Sequence, residues 1–108
     1  MKDLPLEVAI NRVGKGWAPL VAMVYGARQM IPGQINIIDV KQKYGGLRIN
    51  TDYMTDSLWK VISEVELKSF RICEVCGAAG ELLKTQENVY MTRCEEHRPE
   101  QFQIISPF

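Results

Sequence analysis

The spacing of apolar residues in the first third of the chain predicts two helices. The first covers residues 4–13 and is ended by Gly14. The second covers residues 18–31, where apolar side chains recur at helical intervals. The segment between them, residues 14–16, is expected to be a loop, and it lacks the spacing of a phosphate-binding loop.

A third helix is predicted over residues 55–70, where the amphipathic pattern is clearest. Thr55 or Asp56 can cap its start, because either side chain can accept a hydrogen bond from an early backbone N–H. Trp59 lies one position off the apolar stripe. It either packs over the neighbouring hairpin, which we favour, or stands exposed as an anchor for a partner. The stripe itself consists of Leu58, Val61, Ile62, Val65 and Ser69.

A β-hairpin is predicted between the second and third helices, with arms at residues 34–44 and 47–51. Gly45 and Gly46 are expected to join the arms as a two-residue type I′ turn, whose positive φ angles suit glycine. Alternation along the arms then defines one apolar face, with a bulge expected at Ile37-Ile38. That face consists of Ile38, Val40, Tyr44, Leu47 and Ile49.

The other face of the predicted hairpin is basic. It carries Lys41, Lys43 and Arg48, with Lys43 directly opposite Arg48 in the predicted register. Like charges this close repel unless an anion neutralises them. Two interpretations stay open: a solvated face balanced by Asp39 or other nearby acids, or a surface that binds a partner.

The strongest chemical signal lies in the last third of the chain. Cys73 and Cys76 form one C-x-x-C pair, and after seventeen residues Cys94 and His97 form a C-x-x-H pair. Together they use every cysteine and the only histidine of the chain. Two such pairs at this separation are typical of a four-coordinate zinc site. Gly77 suits the positive φ that the turn after the first pair often requires.

The same ligand set argues for a structural rather than a catalytic zinc. A catalytic site usually keeps one position open for water, whereas four protein ligands fill the tetrahedron. Three thiolates also make the ion a weak Lewis acid. Because the single histidine is committed to the metal, the chain cannot build a Ser–His or Cys–His nucleophile pair. We therefore expect no enzymatic activity.

The elements around the ligands complete a small α+β fold. Short strand-like runs at residues 81–84 and 89–92 lie between the two ligand pairs, the layout of a treble clef or zinc ribbon. The apolar tail, residues 101–108, is expected to pack back as an extended segment or, if exposed, to serve as a binding peptide. We expect one domain over residues 1–108, made of a helix–hairpin–helix part (1–70), a zinc module (71–98) and a tail (99–108).

Composition and charge limit the classes of function. The chain has 108 residues, 46% of them apolar and 24% charged, which is typical of a globular protein. Its net charge is zero, so no overall electrostatic argument favours nucleic acid. Residues 1–54 carry a balance of +3 and residues 55–108 a balance of −3, so the zinc half is the acidic one.

The cellular compartment of the protein can also be predicted from the sequence. No apolar run approaches the length of about 20 residues needed to cross a bilayer, and the start lacks the pattern of a signal peptide. We therefore expect a cytoplasmic protein, where thiols stay reduced and bind metal rather than form disulfides.

Two motifs together resemble a known family. Residues 41–48 read Lys-Gln-Lys-Tyr-Gly-Gly-Leu-Arg, and the two ligand pairs follow. This resembles small, functionally uncharacterised bacterial and phage proteins that carry a K-x-K-[FY]-G-G-L-R segment before a zinc-ribbon-like element. The resemblance spans about residues 16–98 and implies a phage or mobile-element origin and a metal site, but no activity. It makes Lys41, Lys43, Gly45, Gly46 and Arg48 the positions to test.

Three hypotheses of function follow. The first is a zinc-stabilised protein-binding module that inhibits a host or defence protein, in the host cytoplasm if the chain is phage-encoded. Its expected contact residues are Lys41, Lys43, Arg48 and Trp59. The second is a nucleic-acid-binding accessory protein that uses the same basic face on phosphate. The third, less favoured, is a small metal-dependent hydrolase or nuclease. The oligomeric state is left open.

Overall fold

Two helices form the N-terminal part, close to the predicted bounds. The structure is a computed structural model and describes residues 2–105. The first helix, α1, spans Leu6–Val13, and the second, α2, spans Ala18–Gln29. The predicted loop between them is instead a short 3-10 helix, Lys15–Trp17.

The third helix, α3, spans Asp56–Ser69, and Thr55 caps it as predicted. The Thr55 hydroxyl oxygen accepts a hydrogen bond from the Leu58 backbone N–H at 3.2 Å. The predicted stripe faces the core, with Leu58, Ile62, Val65 and Ser69 buried. The favoured packing of Trp59 over the hairpin is wrong, because 58% of this residue is exposed. Its neighbour Leu58 takes the inward position on the helix.

The predicted hairpin is present, but its turn lies one residue earlier. Strand β1, Ile37–Lys43, pairs antiparallel with strand β2, Gly46–Thr51. Tyr44 and Gly45 form the turn, with φ angles of 51° and 83°. The predicted Gly45-Gly46 turn is therefore wrong: Gly46 is the first residue of β2.

A close approach explains the role of Gly46. A Cβ atom on Gly46 would lie 2.4 Å from the Phe70 ring, so the site excludes any larger side chain. The tip of the hairpin thus uses one glycine for backbone conformation and the next for packing. As a consequence Lys41, not Lys43, faces Arg48, and Lys43 faces Gly46.

The two faces of the hairpin survive this change, because the pairing moves by two residues and side chains alternate with a period of two. Val40, Leu47 and Ile49 are buried, as predicted. Two apolar predictions are wrong. The expected bulge lies between Ile37 and Asp39 and turns Ile37 inward in place of Ile38. Tyr44, in the turn, is 67% exposed.

Helix α3 closes the free edge of the hairpin. The Leu47 N–H donates to the Ser69 hydroxyl at 2.9 Å, and the Ile49 N–H donates to Oε2 of Glu66 at 3.0 Å. Unpaired donors along an edge strand would otherwise invite pairing with another chain. The helix therefore fixes the register of β2 and completes the core beneath the sheet.

A second antiparallel sheet forms the C-terminal part. Strand β3, Glu81–Lys84, lies at the predicted position, and β4, Tyr90–Arg93, begins one residue later than predicted. The tail contributes strand β5, Gln103–Ile104, on the other side of β3. This confirms that the tail packs back as an extended segment, although residues 106–108 lie outside the described part. The described residues thus form an α+β fold, and none of their helices has the length and apolar character to span a bilayer.

The 3-10 helix joins the two parts. The buried Trp17 ring donates from Nε1 to the Ile72 carbonyl oxygen at 2.8 Å. The Gly16 N–H donates to the Glu74 carbonyl oxygen at 3.0 Å. A Cβ atom on Gly16 would lie 1.9 Å from the Cys73 carbonyl oxygen, so the backbones meet without room for a side chain.

Substituting Gly16 by alanine should therefore destabilise the protein strongly. Overpacking against rigid backbone should lower the free energy of unfolding by about 3 kcal/mol in urea titration. Gly26→Ala is the matched control, because Gly26 lies exposed in α2 with nothing within 4 Å of an added Cβ. There the change should raise stability by up to about 1 kcal/mol. Equal effects of the two changes would contradict the close contact at Gly16.

Candidate metal centre

Cys73, Cys76, Cys94 and His97 lie together, as the sequence predicts. Their ligand atoms all lie within 4.8 Å of one another. The Cys76 and Cys94 sulfurs are 3.6 Å apart, and His97 Nδ1 lies 3.8 Å from the Cys73 sulfur and 3.1 Å from the Cys94 sulfur. A tetrahedral zinc ion with Zn–S near 2.3 Å and Zn–N near 2.05 Å would separate its ligand atoms by about 3.6–3.8 Å. The four residues can therefore bind one metal ion.

The first ligand pair is positioned by a tight turn. The Gly77 N–H donates to the Cys73 carbonyl oxygen at 2.9 Å, and the Cys73 N–H donates to the Ala78 carbonyl oxygen at 2.8 Å. Gly77 has the predicted positive φ, 85°, which a residue with a Cβ rarely adopts. This turn directs both sulfurs of the pair to the same side.

The second pair follows strand β4. A short 3-10 helix, Glu95–His97, begins directly after Cys94. The His97 N–H donates to the Cys94 carbonyl oxygen at 3.1 Å, which brings the imidazole back over the Cys94 sulfur. Strand β4 thus fixes Cys94, and one helical turn fixes His97.

Burial is uneven around the site. Cys73 is fully buried and Cys94 is 7% exposed, whereas Cys76 faces solvent. Burial raises the pKa of the Cys73 thiol, but hydrogen bonds from the backbone N–H groups of Cys94, Cys76 and Val75 outweigh it and lower the pKa to about 6. The cluster therefore stabilises one thiolate near neutral pH.

The pKa of Cys76 moves in the opposite direction. The hydrogen bond from the Ala78 N–H lowers the pKa of Cys76. Lost hydration and the neighbouring Cys94 and Cys73 sulfurs raise this pKa by more, so the net shift is upward. Two thiolates this close repel each other, so the second proton leaves less readily than the first. A cation between the sulfurs would remove that repulsion.

Glu74, a buried carboxylate that directly follows Cys73, is a structural residue that sequence reasoning missed. Glu74 is 7% exposed, and its Oε1 accepts hydrogen bonds from Nε and Nη2 of Arg93 at 3.2 and 3.0 Å. Its Oε2 accepts from Nε2 of Gln42 at 2.7 Å. These partners hold the carboxylate between the hairpin and the second sheet.

Arg93 extends this contact to the second ligand pair. Its Nη1 donates to the His97 carbonyl oxygen at 3.2 Å. A hydrogen-bonded series thus runs from Gln42 through Glu74 and Arg93 to the backbone of a metal ligand. Nothing in the local sequence marks these four residues as a unit, because they are brought together only by tertiary packing.

The residues predicted to bind a partner are on the hairpin and on α3, and none of them belongs to the four converging ligands. Lys41 lies 3.6 Å from a carboxylate oxygen of Asp39, which supports the interpretation of a locally balanced face. Arg48 lies 3.9 Å from a carboxylate oxygen of Glu66. The Lys43 ammonium instead lies over the Tyr44 ring, 5.9 Å from its centroid. Trp59 is on α3, beside the hairpin.

Comparison with protein-family models, curated proteins and solved structures finds no match for this chain.

Metal affinity should fall as the pH is lowered. Thiolates are the ligands, so protons compete with the metal at each sulfur. Above about pH 6 Cys73 is already ionised. In that range metal uptake displaces a proton from Cys76, because the raised pKa of this thiol keeps it protonated. Below that pH the metal must displace a proton from Cys73 as well, so the fall should steepen. Competition with a chromophoric chelator across pH measures this, and a pH-independent affinity would contradict thiolate ligation.

Proposed function

We propose that the chain is a non-enzymatic protein-binding module whose C-terminal part is stabilised by one structural zinc ion. The observation that carries the proposal is the closed ligand set: three sulfurs and one imidazole nitrogen converge within 4.8 Å. Four protein ligands complete a tetrahedron and supply no open position for a substrate. Function is then assigned to a surface that the metal centre supports.

Zinc is the ion that this donor set favours. Thiolate and imidazole ligands at tetrahedral separations suit Zn²⁺, whereas oxygen ligands are preferred by Mg²⁺ and Ca²⁺. The treble-clef or zinc-ribbon interpretation is supported by the position of the ligands, with Cys73 and Cys76 in a turn before β3 and Cys94 directly after β4.

The surroundings of the site support a role other than catalysis. His97 is the only histidine and lies among the cysteine sulfurs. Glu74, the carboxylate next to Cys73, accepts hydrogen bonds from Arg93 at Oε1 and from Gln42 and the Thr92 N–H at Oε2. A carboxylate whose two oxygens are both engaged in this way has a structural role.

The surface that we propose for docking runs along one flank of the hairpin. Glu66 reaches the β2 edge at Ile49, and Trp59 precedes Glu66 by seven residues. Seven residues are nearly two helical turns, so both side chains share one side of α3, about 10.5 Å apart along its axis. Arg48 lies beside Glu66, and Lys41 lies opposite Arg48 in the sheet. The docking flank, defined by Lys41, Arg48 and Trp59, therefore combines two cations with an exposed indole ring.

A partner suited to this flank carries acidic residues around an apolar pocket for the indole. Exposed tryptophan and arginine are the side chains that most often dominate binding at protein interfaces. The resemblance of residues 41–48 and of the ligand pairs to phage proteins supports a finer proposal, that the partner is a host or defence protein which the module inhibits.

Zinc removal should loosen the C-terminal part selectively. Structural zinc contributes on the order of 10 kcal/mol to such modules, so chelation should speed amide exchange across residues 71–98 far more than in α3. Native mass spectrometry should give one zinc per chain, lost in Cys73→Ser. Glu95→Gln is the matched control, since this exposed residue lies between the ligand pair and should leave the zinc bound. A zinc-free chain with unchanged exchange over residues 71–98 would sink the structural assignment.

The docking flank makes a separate prediction. The tagged chain should capture a partner protein from host lysate. The variants Trp59→Ala and Arg48→Glu should each bind this partner at least about tenfold more weakly and so fail to capture it. Lys60→Gln is the control, because Lys60 is exposed and adjacent to Trp59. Capture should survive nuclease treatment. A captured protein that tolerates both flank changes would remove the flank from the proposal.

A further inference from the structure

Two tyrosines from distant parts of the chain meet on the surface. Tyr44 in the hairpin turn and Tyr90 at the start of β4 lie edge to face, with ring centroids 5.7 Å apart. Tyr44 is 67% exposed and Tyr90 is half-buried. Neither ring belongs to the core, so packing alone does not account for an exposed aromatic pair at this position.

A cation accompanies each ring. The Lys43 ammonium lies 5.9 Å from the Tyr44 centroid, and the Lys84 ammonium lies 5.6 Å from the Tyr90 centroid. Lys84 and Tyr90 are direct cross-strand partners in the second sheet. Within residues 2–105, neither lysine forms an ion pair with a carboxylate, whereas Lys41 and Arg48 each lie near one. The patch therefore offers two cations without a protein counterion.

The fold holds this arrangement rigidly. The Thr92 hydroxyl donates to the Gly45 carbonyl oxygen at 2.7 Å and ties the hairpin turn to β4. A Cβ atom on Gly45 would lie 2.4 Å from Cδ1 of Leu82, so the turn rests directly on the second sheet. The backbone that carries Tyr44 is thus held in a fixed position relative to Tyr90, which reduces the ordering needed on binding.

We propose that the aromatic–lysine patch, defined by Lys43, Tyr44, Lys84 and Tyr90, binds single-stranded nucleic acid. Unpaired bases stack on exposed aromatic rings, and their phosphates pair with nearby cations. The patch supplies both features twice, from two parts of the chain. An acidic peptide would pair with the two lysines alone, whereas a nucleotide can pair its phosphate with a lysine and stack its base on a ring face that the lysine vacates.

The expected mode is short, weak and independent of base sequence. Every base presents a face that can stack, but the two rings stand at 85° to each other, so a strand that uses both must splay the two bases apart. The chain has no net charge, so no long-range field adds to the local attraction. With two phosphate contacts, the logarithm of the binding constant should fall with the logarithm of salt concentration with a slope of about −1.4.

Fluorescence anisotropy with the full-length zinc-loaded chain tests the proposal, with labelled single-stranded oligo(dT) and oligo(U) of about 12 nucleotides as probes. Saturable binding is expected. Tyr44→Asn and Tyr90→Thr should each weaken it by about tenfold. Asn tolerates the left-handed backbone at position 44, and Thr suits a strand at position 90, so both changes remove a ring without disturbing the fold.

Matched variants separate stacking from other effects. Tyr44→Phe and Tyr90→Phe keep the rings and should retain binding. Tyr53→Asn removes a tyrosine that is 65% exposed outside the patch and should have no effect. Lys43→Gln with Lys84→Gln should weaken binding and flatten the salt dependence, whereas Lys60→Gln should do neither.

Three outcomes would overturn the proposal. The first is the absence of saturable binding up to about 1 mM protein, a concentration well above the usual dissociation constants for non-specific binding. The second is unchanged binding when both rings are removed. The third is displacement of the probe by polyglutamate as effectively as by unlabelled oligonucleotide. The patch and the docking flank share no residue. Loss of binding in the patch variants with intact protein capture, or the reverse, therefore shows which of the two proposals fails.

Discussion

The contact between the hairpin part and the metal-binding turn is the constraint on which the rest of the structure depends. At its centre is the buried carboxylate of Glu74, which accepts hydrogen bonds from Gln42 on β1 and from Arg93 on β4. A buried charge that loses its partner commonly costs about 3–5 kcal/mol, so the two sheets are held in one relative position.

This contact links metal binding to the remainder of the fold. Glu74 directly follows the ligand Cys73, and Arg93 directly precedes the ligand Cys94. The residues that fix the metal site and the residues that join the two parts are therefore neighbours in the chain. An ion that orders the ligands also orders Glu74 and Arg93, and through Gln42 it orders the hairpin. A metal ion bound by these ligands would stabilise the interface between the two parts as well as the C-terminal part itself.

Short-range patterns predicted much of this arrangement. The three helices, the Thr55 cap, strands β3 and β4 and the four converging ligands follow from periodicity and spacing, which are local properties of the chain. The predictions are wrong where the local structure depends on contacts with residues far away in the sequence. Phe70 packs directly on Gly46, which starts β2, and the turn forms at Tyr44 and Gly45. The contacts that Glu74 makes with Gly16, Gln42 and Arg93 join segments about 20 to 60 residues apart, which no spacing rule reveals.

The shifted position of the turn also explains why an aromatic ring is exposed at the tip of the hairpin. With a Gly45-Gly46 turn, Tyr44 would lie in the strand and point toward the core. In the turn it projects outward beside Tyr90, while Gly45 lets the chain rest on Leu82. Positive φ is uncommon for a tyrosine, since its Cβ crowds the backbone. An aromatic residue in that conformation is stabilised by its contacts with the second sheet, so the exposed ring pair exists only because the two parts of the chain are docked.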